Sequence, residues 1–283
     1  MRVYNSSTVT NVVRDGDRID VEASLVSTGE EASAWIRCGV SDLVIESGGF
    51  EVYRSPETPG VFGDLSALAG IQAYMGSGAA IREALAGGVP GTVQEPVPET
   101  VQEPVQELVQ ELVFECVRAI VQAETFFITE RGYADKAAYD RYWDESYAGS
   151  CLLYLNHNHA RSWMGYVGGH ERRHNLNNRV QSVSIDKNET GYQVDAAFIE
   201  SFHEISIHLS VGFDGVVTGA DSSFIRAPGE TCKQTAELIS GFIGLSLPAL
   251  SKKDIARVVG GSGGCAHLTD LVARAALSYA SST

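Results

Sequence analysis

Basic residues are scarce in this chain. Its 283 residues carry 21 Lys and Arg against 36 Asp and Glu, which gives a formal charge of −15 and an isoelectric point near 4.8. A surface of that sign repels phosphate backbones and anionic lipid headgroups, so neither nucleic acid nor a membrane surface is an expected partner. Long apolar runs are also missing: no stretch reaches the roughly eighteen uninterrupted apolar residues of a spanning helix. The opening MRVYNSSTVT has no basic cluster followed by an apolar core, so a cytoplasmic location is the expectation. Cysteine is sparse and spread out. Cys38, Cys116, Cys151, Cys232 and Cys265 are odd in number and show no Cys-x-x-Cys spacing, which excludes a dense disulfide scaffold and predicts reduced thiols. The run Gly260-Gly261-Ser262-Gly263-Gly264 lacks both the G-x-G-x-x-G pattern after a parallel strand and the Lys-Ser or Lys-Thr of a phosphate loop. No dinucleotide or nucleoside triphosphate site is therefore expected there, only a tight turn.

What is present suffices for a packed core. A hydrophobic fraction of 44% and a charged fraction of 20% are those of a folded protein, and the length allows one large domain or two ordinary ones. Laid against itself, the chain repeats at an offset of about 173 residues. Val21-Glu22-Ala23-Ser24-Leu25 matches Val194-Asp195-Ala196-Ala197-Phe198, and Glu31 falls opposite Glu204. Arg54-Ser55-Pro56 falls opposite Arg226-Ala227-Pro228, and Ile81 through Gly87-Gly88 opposite Ile255 through Gly260-Gly261. Beyond the glycines the offset drops to about 156, as Cys116-Val117-Arg118-Ala119 meets Val272-Ala273-Arg274-Ala275. An insertion in the first half explains the change, and the low-complexity run TVQEPVPETVQEPVQELV has the length for it. Its prolines Pro90, Pro96, Pro98 and Pro104 predict an irregular acidic spacer, with a helix from Val105 to about Phe127.

Each half changes character once. Residues 3–53 alternate apolar and polar, with Asp15-Gly16-Asp17 and Gly48-Gly49 as turn signals, and residues 65–85 switch to helical spacing. The second half repeats this, with strands over 180–225, turns at Asn188 to Gly191 and Asp214-Gly215, and helices from Glu230, Lys252 and Cys265. The predicted class is α+β, built as two pseudo-repeated halves, each an antiparallel β-meander followed by helices. The predicted boundaries are a first repeat over 1–130 with its spacer at 90–107, a connector over 131–177 and a second repeat over 178–283. Within the connector, Tyr139, Tyr142, Trp143 and Tyr147 sit at helical intervals and predict a core helix. The stretch after it, with His157, His159, His170, His174, Arg161, Arg172, Arg173 and Arg179, could attract an anionic ligand or a metal but reads more simply as a solvated connector.

The halves differ in reactive side chains. His203, in Glu200-Ser201-Phe202-His203-Glu204, falls opposite Glu30; Cys232 has no cysteine opposite it; Cys265 and His267, in Gly264-Cys265-Ala266-His267-Leu268, fall opposite the inserted run and its helix. A His after an acidic-Ser-aromatic step, a Pro followed shortly by Cys, and a terminal G-C-x-H-L together resemble the bacterial domain of unknown function family 2889. The resemblance runs from about Arg179 to Ala276. It implies a folded unit with His203, Cys232, Cys265 and His267 as motif positions, and it implies no reaction.

Two chemistries suit these residues. In one, Cys265 opens the last helix after the glycine loop, where backbone N–H groups and the helix dipole favour a thiolate nucleophile. His267 or His203 then acts as general base or acid, Asp270 orients an imidazole, and loop N–H groups hold an oxyanion. In the other, His203, Cys232, Cys265 and His267 hold a zinc ion. The sequence thus predicts a small-molecule enzyme acting on an organic acid, acyl thioester or polyketide-like substrate. The alternative is a non-catalytic ligand-binding or scaffold protein with a structural Cys/His metal site. His208 is expected at the surface.

Overall fold

The computed structural model describes residues 1–56, 60–87, 91–92, 99–155, 165, 167 and 171–282. In chain order the elements are β1 (Arg2–Asp15), β2 (Arg18–Ser27), β3 (Glu31–Gly39), β4 (Ile45–Arg54), β5 (Val61–Asp64), α1 (Gly78–Leu85), β6 (Gly91–Thr92), α2 (Glu99–Ala123) and α3 (Lys136–Ser146). They continue as β7 (Asn175–Lys187), β8 (Gly191–Ile199), β9 (Glu204–Gly212), β10 (Val217–Arg226), α4 (Glu230–Lys233), α5 (Lys252–Val259) and α6 (Ala266–Ser282). The class is α+β. Among the described residues no helix is long and apolar enough to cross a membrane. The chain divides into an N-terminal unit, Thr8–Asp135 with His170–Arg179, and a C-terminal unit, Met1–Ser7 with Lys136–Gly169 and Val180–Thr283.

In the N-terminal unit β1 to β6 lie side by side in chain order. The β2–β3 and β3–β4 pairs are antiparallel, and strict alternation puts Ile19, Val21, Ala23 and Leu25 on the buried face while Asp20, Glu22 and Ser24 face out. Helix α2 covers that face with Val109, Leu112, Val113, Cys116 and Ile120. It starts six residues before the predicted Val105 and carries Pro104 inside. At the sixth position this proline forfeits one i→i−4 bond, and the helix continues through it. Gly48 and Gly49 are not a turn but lie within β4. A Cβ on Gly49 would meet Trp35 Cζ2 of β3 at 2.4 Å, so the glycine makes room for the indole across the strand pair. The predicted helix over 65–85 is reduced to α1 and a short 3-10 turn at Ser66–Leu68. Between them the backbone bonds to the sheet instead: Ile45 N donates to Ile71 O at 2.9 Å and Ala73 N to Leu43 O at 2.7 Å.

Two buried ion pairs brace this unit. Arg179 on β7 donates to Glu115 of α2 at 2.9 Å, both nearly inaccessible, so Arg179 is no part of a solvated connector. Glu124 receives Arg131 Nε at 2.7 Å and the Tyr74 hydroxyl at 2.5 Å. At the β2–β3 turn, Arg54 donates to Thr28 O at 2.8 Å and to Ser27 O at 2.9 Å, and Ser27 N to Glu30 O at 2.7 Å.

Burial raises the Glu30 carboxyl above its ordinary value of 4.5. Its folded-state value therefore lies above the unfolded one. The associated stability is fully present below about pH 4 and is lost as the pH rises through the raised value. Glu30→Gln is expected to melt higher than the parent at pH 7, with the two converging below pH 4. Thermal unfolding at both pH values checks this, and an advantage that persists at low pH contradicts it.

In the C-terminal unit the strands lie in the order β10-β9-β8-β7, with the opening residues of β1 beside β7. The first seven residues thus belong here rather than with the first half. Met1 N donates to Lys187 O at 2.7 Å, Lys187 N returns a bond to Met1 O at 2.8 Å, and Arg2 pairs with Asp186. The predicted connector is likewise split between the units, with α3 in this one and burying Tyr139 and Trp143. The histidine-rich residues His157, His159, Arg161 and His170 lie outside the described residues, as do Pro90, Pro96 and Pro98 of the spacer. The β7–β8, β8–β9 and β9–β10 pairs are antiparallel. Val194, Ala196 and Phe198 of β8 with Ile205, Ile207 and Leu209 of β9 present one apolar face, which α6 covers with Leu268, Leu271, Val272 and Ala275. Each of the larger of these side chains, once fully buried, contributes about 1.5–3 kcal/mol. Helix α5 starts as the sequence predicts, in a capping box between Ser251 and Asp254 with the lysines facing solvent.

Candidate functional site

The connection from β8 to β9 is the four-residue turn Glu200-Ser201-Phe202-His203, closed by Glu200 N donating to His203 O at 2.9 Å. Hairpin connections ordinarily run over the surface. In this one Glu200, Phe202 and His203 are all buried. Arg226, at the end of β10, anchors the turn from outside by donating to Glu200 O at 2.7 Å and His203 O at 3.5 Å.

The Glu200 carboxylate, with no exposed side-chain surface, folds back over its own turn. Oε2 accepts the Phe202 backbone N–H at 2.9 Å, and Oε1 meets His203 Nδ1 at 2.5 Å. A carboxylate on Nδ1 fixes the ring orientation and the tautomer that leaves Nε2 as the acceptor. Among the described residues no hydrogen-bond partner meets His203 Nε2. Against the His203 ring stands that of His267, with centroids 4.0 Å apart, and Phe198 stacks on His267 at 5.3 Å and 15°. His267 occupies the first turn of α6 and is partly exposed. Sequence positions 198, 203 and 267 are thereby gathered at one end of the β8–β9 hairpin.

Cys265 does not behave as the sequence predicts. It precedes α6, and the backbone N–H groups of Leu268 and His267 near its sulfur act to lower its pKa. Burial outweighs them and pushes the thiol up to about 12, helped by the neighbouring thiols of Cys232 and Cys151. The helix terminus is in place, but desolvation is the larger effect and disfavours the thiolate at neutral pH. Asp270 does not orient an imidazole either: its carboxylate pairs with Lys252 Nζ at 2.7 Å. The orienting carboxylate is Glu200, three residues before the histidine it serves.

The glycine loop spends backbone N–H groups on itself. Gly260 N donates to Ala256 O at 3.0 Å, Gly264 N to Gly261 O at 3.0 Å and Cys265 N to Val259 O at 2.7 Å. These three are not available for an oxyanion. The zinc set is not assembled: among the described residues no group of three or more His, Cys, Asp or Glu is placed to hold a metal ion. Cys232 instead joins the apolar core beside Ile239 and Phe242, where burial raises its thiol to about 11. His208 is exposed, as expected, and its Nδ1 meets Asp195 across the strand pair.

The architecture is thus an α+β fold whose C-terminal unit carries a carboxylate-oriented imidazole in contact with a second imidazole. Residues 167–280, most of that unit, match the model of a protein family described as protein of unknown function (DUF2889). No curated protein and no solved structure matches the chain.

Proposed function

We propose that the C-terminal unit is an acid–base catalyst for a small carbonyl compound of the organic acid, acyl thioester or polyketide-like kind. His203 Nε2 removes the proton from the carbon beside the carbonyl, the C–H electron pair forms a carbon–carbon double bond, and the C=O π pair moves to oxygen. His267 donates a hydrogen bond to that oxygen, and His203, its proton exchanged with solvent, returns a proton to the carbon as the carbonyl re-forms. The observation that carries this reading is the Glu200–His203 pair, whose outer nitrogen is left for substrate beside His267. Burying an acidic side chain wholly is costly unless its hydrogen bonds are met, and here Phe202 N–H and His203 Nδ1 meet them.

The N-terminal unit is read as a degenerate copy of this one. Arg54 grips the Ser27–Glu30 turn as Arg226 grips Glu200–His203, and Glu30 stands where His203 stands in the other turn. That correspondence supports a scaffold kept in both halves with the imidazole in one.

Solvent deuterium incorporation, followed by proton NMR over a panel of 3-oxo acids and short acyl thioesters, tests the proposal. Exchange beside the carbonyl of a panel member is expected, falling by about 10²–10⁴-fold in His203→Gln. Cys265→Ala is expected to exchange at close to the parent rate. No exchange across the panel, or loss of exchange in Cys265→Ala, overturns the reading.

A further inference from the structure

Three of the five thiols share one corner of the C-terminal unit. Cys151 packs against the core that holds Cys232 and Cys265, and it is the one of the three that is partly exposed. The backbone fixes how near two of them are. Leu152 N donates to Gly264 O at 2.9 Å, so the peptide that follows Cys151 is hydrogen-bonded to the peptide that precedes Cys265. In a trans peptide the N–H lies on the same side as the preceding Cα, and the C=O on the same side as the following Cα. Standard dimensions then put the Cα atoms of Cys151 and Cys265 roughly 4–7 Å apart, a span that matches the Cα separations of disulfides. Cys232 is held one segment away, with Leu153 packed so closely on Gly229 that a Cβ there would stand 2.8 Å from its methyl carbon.

We infer that Cys151 and Cys265 are a modification site, a dithiol that a hydroperoxide such as hydrogen peroxide converts to a disulfide. The exposed Cys151 sulfur attacks the peroxide, the O–O bond breaks, and Cys151 becomes a sulfenic acid with release of one water. The Cys265 sulfur then displaces the sulfenic oxygen as a second water and the S–S bond forms. Two thiols have lost two hydrogens and two electrons, and one peroxide has become two waters. The bond ties the residue before α6 to the segment ending α3's connection, two residues from His267. Any effect on turnover rests on the imidazole reading, whereas the bond itself does not.

The test uses the full chain. After hydrogen peroxide, acid quench and alkylation with N-ethylmaleimide, non-reducing digestion and mass spectrometry should find a Cys151–Cys265 cross-link that disappears with dithiothreitol. Cys232→Ser should keep the cross-link and Cys151→Ser should abolish it, with circular dichroism confirming that both variants are folded. A Cys151–Cys232 link, sulfinic acid at Cys151 with Cys265 still alkylated, or five unreacted thiols would each overturn the inference. None of these outcomes depends on deuterium exchange, so its failure and that of the proposed activity are told apart.

Discussion

Glu200→Gln is expected to slow deuterium exchange by about 10²–10⁴-fold in kcat while KM stays within severalfold. The carboxylate does not reach substrate in this geometry; it holds Nδ1 of His203 and so decides which nitrogen faces outward. An amide in its place can present either oxygen or NH2 to Nδ1. Its other atom must still answer the Phe202 N–H, which now demands an acceptor. Only one of the two can be given an oxygen, so the ring tautomer is no longer fixed or the backbone N–H is left unmet. A stability loss of about 1–3 kcal/mol accompanies this, and exchange is therefore to be measured well below the melting temperature. A purely structural Glu200 would lower the folded fraction without changing kcat per folded molecule. The ring N–H proton of His203, sheltered from solvent by burial, gives a second readout by NMR. It should be seen in the parent protein and be lost or displaced in the variant. Parent-like kcat with an unchanged ring signal would remove Glu200 from the positioning role.

Much of the fold was legible because alternation and turn residues act locally. The strands β7 to β10 and their turns at Asn188 to Gly191 and Asp214-Gly215 follow directly from a period of two broken by residues that favour turns. The Ser251 cap three residues before Asp254 marks α5 by the same kind of local chemistry. The failures have a common cause in partners distant along the chain. Gly48-Gly49 looks like a turn until Trp35 is brought across it, and residues 69–77 look helical until Leu43 and Ile45 offer their backbone groups. The placement of Met1–Ser7 with Val180–Thr283 depends on pairing with Lys187, which no local signal announces.

The candidate site was half legible for the same reason. Comparing the two halves singles out His203 and His267, and the structure brings their rings together. It also singled out Cys265 and Cys232 by residue type alone. Burial decides their chemistry, and burial is set by neighbours such as Phe242, Leu268 and Val272 that a short sequence window does not show. Glu200 was the residue passed over. An acidic side chain three positions before a histidine, within a four-residue connection between apolar strands, was the signal that could have found it. Arg226 was visible only as one half of a repeated Arg-x-Pro; its grip on the carbonyls of residues 200 and 203 needs the third dimension.

Gly264→Ala is expected to destabilise the protein by about 3 kcal/mol or more, which for a chain of this size lowers the melting temperature by roughly 6–12 °C. A Cβ at residue 264 would stand 2.2 Å from Val259 O and 2.5 Å from Gly260 O. Those are backbone atoms at the end of α5, so relief requires the chain to move rather than a side chain to rotate. Val259 O also accepts from Cys265 N at 2.7 Å, and Gly264 O accepts from Leu152 N at 2.9 Å. Shifting the loop therefore disturbs the entry to α6, and with it His267, before the core beneath Leu271 and Val272 is affected. Deuterium exchange should fall more steeply than helix content on mild heating. Gly263, one residue earlier, is the control, because a Cβ there meets nothing within 4 Å. Gly263→Ala is expected to lie within about 0.5 kcal/mol of the parent. If the two variants unfold alike, the close approach of Gly264 to the end of α5 is wrong, and with it the placement of His267 against His203.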